Sequence, residues 1–386
     1  MSQSMSVSSG LAAMTTGAEL RERGLDTVQP TPSPPSEKLM DKWKAHYQKR
    51  KTYQPRFYPY LLRFGLPFWF LSAMCGGYII GAFYVSPFLY SEYGPSVNLF
   101  NFCLQTFMLV QILINWFFVK TVTSFYRPSD VECAGNDVTV LETPVHLGPA
   151  KKWEKLDKEK RKYLVIVQIG NRQELFPYWG PRPCPRCNRP RPPRAHHCPI
   201  CNGCILKRDH HCYFTGSCVG LRNQRHFIML AAWSFVTLLY SFIHVLIYIP
   251  YLVEDISYWD LNIVVALIRF IFRYISLYKL IEISLIYSMM IIGFLAGGFL
   301  NEQVRIVRKG ISQYEYAFDL KVINRNSTSR NIQSVFGDYW AINLLFPAHW
   351  LFPNDIDDGV SWPGVKVDTP DLTDFCAGEE SSGTVI

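Results

Sequence analysis

The sequence predicts an all-α polytopic membrane protein in which a compact cysteine-rich domain separates the second and third of four transmembrane helices. Three observations predict this fold class. Hydrophobic residues make up 49% of the 386 residues, and charged residues only 18%. Four apolar runs are long enough to cross about 30 Å of hydrocarbon, which takes about 20 residues. Between the second and third runs, the segment from Cys184 to Cys218 holds seven cysteines and four histidines.

The four predicted spans contain polar residues at particular places. The spans are Phe64 to Tyr84, Leu99 to Val119, Phe227 to Leu252 and Ile275 to Leu300. The second carries four amides, Asn101, Gln105, Gln111 and Asn115. Because such groups are costly against lipid, we expect them to face neighbouring helices. In the fourth span, Lys279 and Glu282 have helical i, i+3 spacing and are expected to pair.

A fifth apolar stretch, Leu261 to Phe272, is too short to span a bilayer and contains Arg269. We interpret it as an interfacial helix or as an extension of the fourth span.

The distribution of lysine and arginine predicts the orientation of the chain in the membrane. The segment before the first span is basic, whereas the connection at 86–97 has no lysine or arginine. Since positive residues stay on the cytosolic side, both termini and the segment between spans two and three are predicted to be cytosolic.

The predicted organisation has six parts. Residues 1–58 form a cytosolic segment, expected to be largely disordered at its start because it is rich in Ser, Thr, Gly and Pro. The others are 59–119 (spans one and two), 120–226 (cytosolic, with the cysteine-rich domain at about 182–226), 227–300 (spans three and four), 301–353 (cytosolic C-terminal region) and 354–386 (acidic disordered tail).

The composition of the cysteine-rich domain predicts zinc. Cys-x-x-Cys spacing occurs three times, at Cys184/Cys187, Cys198/Cys201 and Cys201/Cys204, with histidines at 196, 197, 210 and 211. Structural zinc takes four Cys or His donors at such spacings. A reducing cytosol keeps these thiols free for metal. The inventory fits two closed sites with one cysteine left over, and spacing alone does not say which donors share an ion.

Four reactive side chains are consecutive at Asp209, His210, His211 and Cys212. A purely structural metal knuckle has no need of an aspartate and an extra histidine beside its ligands, whereas a nucleophilic thiol does. An ordinary thiol titrates near about 8.5, and an adjacent imidazole oriented by a carboxylate favours the reactive thiolate. We interpret Asp209 as orienter, His210 as base and Cys212 as nucleophile. The alternative is that Cys212 is a ninth donor or a spare thiol.

The run from Cys184 to Phe227 resembles the cysteine-rich domain of the DHHC-type zinc-binding protein S-acyltransferases, or palmitoyltransferases. Every position of the family pattern C-x2-C-x9-HC-x2-C-x2-C-x4-DHHC-x5-C-x4-N-x3-F is matched, through Asn223 and Phe227. Four spans with cytosolic ends are also similar to the family's layout. The resemblance covers roughly Pro59 to Pro353.

The resemblance implies the metal ligands and the reaction. One structural Zn2+ would be held by Cys184, Cys187, His197 and Cys204, and the second by Cys198, Cys201, His211 and Cys218. Cys212 would take a long-chain acyl group, with palmitoyl-CoA as the expected acyl-CoA, and pass it to a cysteine of a substrate protein. The implied partners are acyl-CoA, membrane-associated proteins with cytosolic cysteines, and the lipid bilayer. The implied location is the endomembrane system, Golgi or endoplasmic reticulum.

Two further segments are similar to family motifs. Ser312-Gln313-Tyr314-Glu315 stands where the family has T-T-x-E and replaces the second Thr, which leaves open whether this segment supports Asp209. A run beginning at Asn331 resembles the C-terminal motif that packs against the membrane domain. Asn223, Glu315 and Asn331 are therefore the expected supporting residues.

The basic loop between the first ligand pairs is the predicted contact for the CoA phosphates. Arginine binds phosphate through bidentate donors, and we assign Arg191, Arg194 and His196 to this role. The alternative is that they face lipid headgroups or solvent. Small residues in spans one and three leave room for an acyl chain or serve close helix packing. They are Ala73, Gly76, Gly77, Ala231, Ala232, Ser234 and Thr237.

Two other classes of function were weighed. A nucleic-acid-binding zinc protein is disfavoured, because no recognition helix lies between the ligand pairs and four spans tether the chain to a membrane. No nucleic acid is therefore expected as a partner. The alternative function is a catalytically silent, zinc-stabilised membrane scaffold or adaptor, which the altered T-T-x-E segment could signal.

Overall fold

The computed structural model describes residues 61–127, 158–169, 172–252, 257–345 and 358–368. Its helices are α1 (Leu62–Leu89), α2 (Pro95–Thr121), α3 (Lys158–Arg161), α4 (Gln224–Leu252), α5 (Ile263–Ile271), α6 (Leu277–Lys309), α7 (Gln313–Ala317), α8 (Thr328–Phe336) and α9 (Trp340–Leu345). Its strands are β1 (Leu164–Ile169), β2 (Arg172–Pro177), β3 (Arg182–Cys184), β4 (Arg189–Arg191), β5 (His196–Cys198), β6 (Gly203–Ile205), β7 (His211–Cys212), β8 (Ser217–Cys218), β9 (Val322–Asn324) and β10 (Val365–Val367).

Helices α1, α2, α4 and α6 are the four in the described residues that are long and apolar enough to cross a membrane. The first three contain the predicted spans, and α6 begins at Leu277, two residues after the predicted start, and continues nine residues past the predicted end. Their outer faces expose large apolar side chains, such as Phe68 on α1 at 74% and Phe294 on α6 at 78%. Apolar surface of this kind suits contact with hydrocarbon. The number and positions of the predicted spans are confirmed, while their insertion into a bilayer stays a prediction.

The amides of α2 face the neighbouring helices, as predicted. All four are buried, and two of them bind other helices. Gln105 donates through Nε2 to Ser86 Oγ on α1 at 2.7 Å. Asn101 accepts through Oδ1 from the Tyr240 hydroxyl on α4 at 2.9 Å. Polar contacts therefore join α2 to both of these helices.

Helix α6 packs closely on α4. The predicted pair is present, with Lys279 Nζ 3.7 Å from Glu282 Oε2. The Tyr248 hydroxyl on α4 donates to the other Glu282 oxygen at 3.1 Å. A Cβ atom at Gly293 would overlap Leu238, so the two backbones approach closely at this point.

The short apolar stretch forms a helix of its own, α5. Ser276 caps the start of α6, and Arg273, between the two helices, has φ of 63°. A left-handed residue breaks a helix. Of the two interpretations offered by the sequence, extension of the fourth span is therefore wrong. Arg269 bonds back to Asp260, ahead of α5, at 2.6 Å.

The chain is mostly helical rather than all-α, which corrects the predicted fold class. The cysteine-rich domain consists of the antiparallel pairs β3–β4, β5–β6 and β7–β8, and the pairs β1–β2 and β9–β10 lie outside it. The two residues between the ligands of a Cys-x-x-Cys turn are too few to form a helix. Short hairpins therefore replace helices wherever the predicted ligands cluster.

Residues 358–368, which the sequence assigns to a disordered acidic tail, are folded. Strand β10 pairs with β9, and Val367 is 1% exposed. Trp362 packs on the buried cluster that contains Cys184 and Cys204. These few apolar residues order a segment whose composition is otherwise polar. The predictions for 1–58, for 354–357 and for 369–386 lie outside the described residues.

Asn223 joins the cysteine-rich domain to the helical bundle. Its Nδ2 donates to Val119 O at the end of α2 and to Cys218 O in β8, both at 2.9 Å. Its Oδ1 accepts from Gly220 N at 2.8 Å. The side chain is 1% exposed. One amide therefore connects α2, β8 and the start of α4.

Candidate active site and metal centres

Two groups of four Cys and His side chains converge in the cysteine-rich domain. The groups are Cys184, Cys187, His197 and Cys204, and Cys198, Cys201, His211 and Cys218. Within each group, the donor atoms all lie within 4.8 Å of one another. These are the two sets that the family resemblance implies, and Cys212 belongs to neither of them.

The first group has the dimensions of a zinc site. Zinc–sulfur bonds of about 2.3 Å and zinc–nitrogen bonds of about 2.0 Å, at tetrahedral angles, separate two sulfurs by about 3.8 Å and sulfur from nitrogen by about 3.5 Å. His197 Nδ1 lies 3.3 Å from Cys187 Sγ and 3.6 Å from Cys184 Sγ. Cys187 Sγ and Cys204 Sγ are 3.7 Å apart. These distances fit one tetrahedral ion.

The second group has the same dimensions. His211 Nδ1 lies 3.3 Å from Cys201 Sγ and 3.7 Å from both Cys198 Sγ and Cys218 Sγ. The sulfurs of Cys201 and Cys218 are 3.6 Å apart. Each group offers four soft donors, so each fits a closed structural zinc rather than a catalytic ion with an open position.

Strand geometry explains why the two sets of ligands are interleaved. Consecutive side chains of a strand point to opposite faces, so His197 and Cys198 in β5 enter different groups. Strand pairing brings two ligands of each group together. In the first group His197 lies opposite Cys204, and in the second group His211 lies opposite Cys218. The same alternation in β7 directs His211 to the second group and Cys212 away from it.

The predicted catalytic side chains lie together. Asp209 Oδ2 accepts from His210 Nδ1 at 2.7 Å. The backbone is extended here, because Asp209 N donates to Val219 O and Val219 N donates to His210 O. In an extended backbone, residues two apart share a face, so His210 and Cys212 are on the same side of the chain. Asp209, His210 and Cys212 thus stand in the order that the sequence analysis expects.

Aromatic rings and burial hold the histidine and the thiol. The His210 ring stacks on Phe299 of α6, with centroids 5.5 Å apart and planes at 5°, and meets the edge of Phe227 at 4.8 Å. Cys212 is 3% exposed. Thr215 Oγ1 donates to Cys212 O at 3.4 Å. The thiol is therefore screened from bulk water.

The electrostatics of the pair favour a thiolate beside an imidazolium. Burial raises the pKa of Cys212, but the hydrogen bond and charge of His210 outweigh it, and the pKa lies below its ordinary value. Burial lowers the pKa of His210, but hydrogen bonds with Asp209 and Cys212 outweigh it and raise the pKa to about 10. A thiolate is the form of cysteine that attacks carbonyl carbon.

A side chain of α6 binds Asp209, a contact that no sequence pattern predicts. Gln303 donates through Nε2 to Asp209 Oδ2 at 2.9 Å. Gln303 in turn accepts through Oε1 from Gln224 Nε2, also at 2.9 Å. No motif singles out these two glutamines, and their contact is visible only once α4 and α6 are packed.

The segment that stands in place of T-T-x-E binds Arg194 through Glu315, whereas the sequence left open whether it would support Asp209. Glu315 forms two hydrogen bonds with Arg194, Nε to Oε1 and Nη2 to Oε2, each at 2.8 Å. The two side chains are 0% and 1% exposed. The Trp362 ring covers the guanidinium at 4.5 Å, and the Tyr178 hydroxyl donates to Glu315 at 3.2 Å. Arg194, predicted to bind CoA phosphates, is instead the buried link between the cysteine-rich domain and α7.

A cluster of basic side chains surrounds His196. Arg182 and Arg191 lie directly opposite each other in the β3–β4 hairpin. Arg182 is 0% exposed, and among the described residues its Nε and Nη1 have no hydrogen-bond partner. Within the same described ranges, neither His196 Nε2 nor the buried Nε atoms of Arg191 and Arg208 have one. Burial, followed by the charges of these three arginines, holds the pKa of His196 well below its ordinary range.

This arrangement is costly unless an anion balances it. Like charges in opposite strand positions repel, and a buried donor without a partner loses its hydration. Arg191 and His196 were predicted for phosphate binding, whereas Arg182 and Arg208, which lie beside them in the structure, were not part of that prediction. The signal for Arg182 was its position two residues before Cys184, which places it opposite Arg191 in a hairpin.

An apolar cavity opens from Cys212 into the helical bundle. It is lined by Phe70, Cys212, Phe214, Phe227, Leu230, Ala231, Ser234, Ile292, Leu295, Ala296 and Phe299. A second cavity one helical turn further along α4 is lined by Gly77, Thr237 and Met289, among others. Four of the seven small residues predicted to leave room for a chain line these two cavities, Gly77, Ala231, Ser234 and Thr237, whereas Ala73, Gly76 and Ala232 line neither.

Asn331 supports the end of α6. Its Nδ2 donates to Arg308 O at 3.1 Å, and its Oδ1 accepts from Asn324 Nδ2 at 3.0 Å. Terminal carbonyls of a helix lack intrahelical partners. The predicted supporting residue thus binds one of these carbonyls and connects α8 to the bundle.

Part of the chain matches a known protein family. Residues 179–319 match the family model described as DHHC palmitoyltransferase. The matched range contains both Cys/His groups, the Asp209–Cys212 run, Gln303 and Glu315. No match to the chain was found among curated proteins.

Proposed function

Because the chain carries a DHHC palmitoyltransferase domain at 179–319, we propose that it is a protein S-acyltransferase. It transfers a long-chain acyl group, for which palmitoyl is the expected group, from acyl-CoA through Cys212 to cysteine thiols of membrane-associated proteins. One observation carries the proposal. Cys212 lies outside both metal-ligand groups, next to His210, at the end of an apolar cavity.

The first step forms an acyl-enzyme. The Cys212 thiolate attacks the thioester carbonyl, a carbon–sulfur bond to Cys212 forms, and the carbon–sulfur bond to CoA breaks. His210, protonated beside the thiolate, gives its proton to the departing CoA sulfur. Asp209 binds Nδ1 of the ring, which leaves Nε2 to face the reacting sulfurs.

The second step transfers the acyl group to the substrate protein. The incoming cysteine thiol loses its proton to His210 and attacks the acyl carbon on Cys212. The bond to Cys212 breaks and regenerates its thiolate, so His210 acts as acid in one step and as base in the other. The two zinc ions fit closed sites of four protein donors and have a structural role.

The basic cluster is the proposed site for the CoA phosphates. Arg182, Arg191 and Arg208 bring positive charge to His196, and their buried donors without partners in the described residues support an anionic ligand. Arg194 is not included, because Glu315 takes its donors. We therefore propose a structural role for Arg194, which links the cysteine-rich domain to α7.

The cavity beyond Cys212 is the proposed site for the acyl chain. Burying a methylene group is worth about 0.8 kcal/mol, or on the order of 10 kcal/mol for a chain of sixteen carbons. Four apolar helices that cross a membrane would place this cavity within the bilayer. Cys212 would then lie at the cytosolic interface, on the side where the last turn of α2 carries Lys120 and the last turn of α6 carries Arg308 and Lys309. Location in the Golgi or endoplasmic reticulum remains part of this proposal.

A silent scaffold remains the alternative, but the reason for it is weaker. It depended on the altered T-T-x-E segment, which the family uses to support the catalytic aspartate. In this chain Gln303 makes a hydrogen bond to that aspartate. Loss of the second Thr therefore does not leave Asp209 unsupported.

The test is self-acylation of the purified protein. Wild type, Cys212→Ser and the control Cys103→Ser are incubated with labelled palmitoyl-CoA, and hydroxylamine-sensitive label and bound zinc are measured. Cys103 lies on α2 and is exposed, outside the residues that line the cavity. We expect label on wild type and control and none on Cys212→Ser, with equal zinc. Absence of label on all three, with two zinc ions bound, would instead favour the scaffold.

A further inference from the structure

We propose that Gln303 is a positioning residue for the acyl-transfer reaction. It holds the Asp209 carboxylate through one end of its amide, while Gln224 binds the other end. This inference rests on the proposed function. It assigns to α4 and α6 a role that the family motif would give to the segment after α6.

The geometry at Asp209 requires a second donor. Its Oδ2 accepts from both His210 Nδ1 at 2.7 Å and Gln303 Nε2 at 2.9 Å. Its Oδ1 is buried and has no hydrogen-bond partner in the part of the chain that the structure describes. With His210 alone, the carboxylate could turn about its side-chain bond and present either oxygen. Gln303 selects one oxygen and one orientation.

The two glutamines form a directed pair. Gln224 and Gln303 are 3% and 2% exposed, so neither amide can exchange its partner for bulk water. Gln224 Nε2 donates to Gln303 Oε1 at 2.9 Å, which leaves the NH2 group of Gln303 facing Asp209. If the Gln303 amide were flipped, its oxygen would meet a carboxylate oxygen, and two acceptors would be in contact. The contact with Gln224 therefore binds the oxygen of the Gln303 amide in the same orientation that turns its NH2 group toward Asp209.

Helix α6 contacts both members of the Asp209–His210 pair from one face. Phe299, which stacks on the His210 ring, is four residues before Gln303. Side chains at i and i+4 lie on the same helix face. The packing of α6 against α4, where Gln224 is the first residue, thus orients the carboxylate and the imidazole together.

The contact predicts a particular kinetic effect. Gln303 lines neither the cavity at Cys212 nor the basic cluster around His196. Its loss should slow the acylation step while leaving the binding of acyl-CoA unchanged. A hydrogen bond to a buried charged group is strong enough that its loss should lower the acylation rate about 10- to 100-fold.

The test compares Gln303→Met with the matched control Gln313→Met. Gln313 also bonds through its amide, to Glu302 Oε1 at 2.7 Å, but lies beyond α6. The single-turnover rate of Cys212 acylation is measured against palmitoyl-CoA concentration, together with bound zinc. We expect Gln303→Met to lower the maximal rate about 10- to 100-fold at unchanged half-saturating concentration and zinc content, and Gln313→Met to react as wild type.

Two further variants separate positioning from general damage. Gln224→Met leaves the Gln303 donor in place but removes its orientation, so its maximal rate should fall less than that of Gln303→Met. In an Asp209→Asn background, Gln303→Met should lower the rate by less than about threefold, because coupled residues are not additive. Full additivity in that background would assign the effect to something other than Asp209.

Each outcome is decisive. If wild type is labelled and Gln303→Met reacts at the wild-type rate, or if Gln313→Met is equally slow, the inference is wrong and the proposed function stands. A slow variant that has lost zinc, or that regains its rate at high palmitoyl-CoA, also contradicts positioning. If wild type itself forms no acyl-enzyme, the proposed function fails and the inference fails with it.

Discussion

Replacement of Arg194 by Met should destabilise the protein without weakening its binding of acyl-CoA. Arg194 and Glu315 are almost completely buried and share two hydrogen bonds of 2.8 Å. Removing the guanidinium leaves the Glu315 carboxylate in the interior with the Tyr178 hydroxyl and Ser312 N as its remaining donors. Breaking one partner of a buried ion pair costs about 3–5 kcal/mol.

That cost can be measured as a change in thermal midpoint. A domain of this size loses about 2–4 °C for each kcal/mol, so Arg194→Met should unfold roughly 6–20 °C below wild type. The assay is thermal unfolding in detergent, with zinc release followed in parallel. The double variant Arg194→Met/Glu315→Leu should recover much of the loss, because well-packed apolar residues often replace a buried pair at little cost.

The same variant distinguishes the structural role of Arg194 from the CoA contact predicted from sequence. In the structural role, the half-saturating palmitoyl-CoA concentration stays the same, measured below the new unfolding temperature. An unchanged midpoint together with a large increase in that concentration would refute the reasoning. It would mean that Arg194 leaves Glu315 and reaches the ligand.

Two other predictions concern the ligands. Arg182→Gln and Arg191→Gln should each raise the half-saturating palmitoyl-CoA concentration by about 10-fold, the loss expected for one charge-assisted contact. Binding of free palmitate, which has no phosphate, should stay as in wild type, and an equal loss of affinity for palmitate and palmitoyl-CoA would argue against a phosphate site. Chelation should remove two zinc ions per chain, unfold the cysteine-rich domain and abolish acylation. Metal analysis and labelling with palmitoyl-CoA measure these changes. Activity retained after complete metal loss would contradict the structural role of zinc.

Local patterns were sufficient to predict the spans and to single out the residues that the structure brings together at Cys212. The apolar runs predict helices because a membrane-spanning segment needs only its own composition and length to be recognised. The ligands of the cysteine-rich domain are close in sequence, and Asp209, His210 and Cys212 are closer still. Division of the ligands into two sets needed the family resemblance, although the alternation of side chains in β5 gives a physical reason for it.

Contacts between distant segments could not be predicted in this way. Arg194 lies in the basic loop that the sequence assigns to phosphate, and nothing in that loop shows that Glu315, 121 residues later, will reach it. Gln303 resembles any other polar residue near the end of an apolar helix until α4 and α6 are packed. The short strands of the cysteine-rich domain were also missed, because three-residue strands carry almost no periodic signal.

The altered T-T-x-E segment shows why a departure from a motif does not by itself predict lost activity. The segment here performs one task, anchoring Arg194 through Glu315 and so attaching the cysteine-rich domain to α7. Support of Asp209 is a second task, and Gln303 on α6 performs it from a different direction. Since the two tasks fall on different residues, one can change while the other is kept. Replacing the second Thr therefore alters neither the Arg194–Glu315 pair nor the hydrogen bond that holds Asp209 against His210.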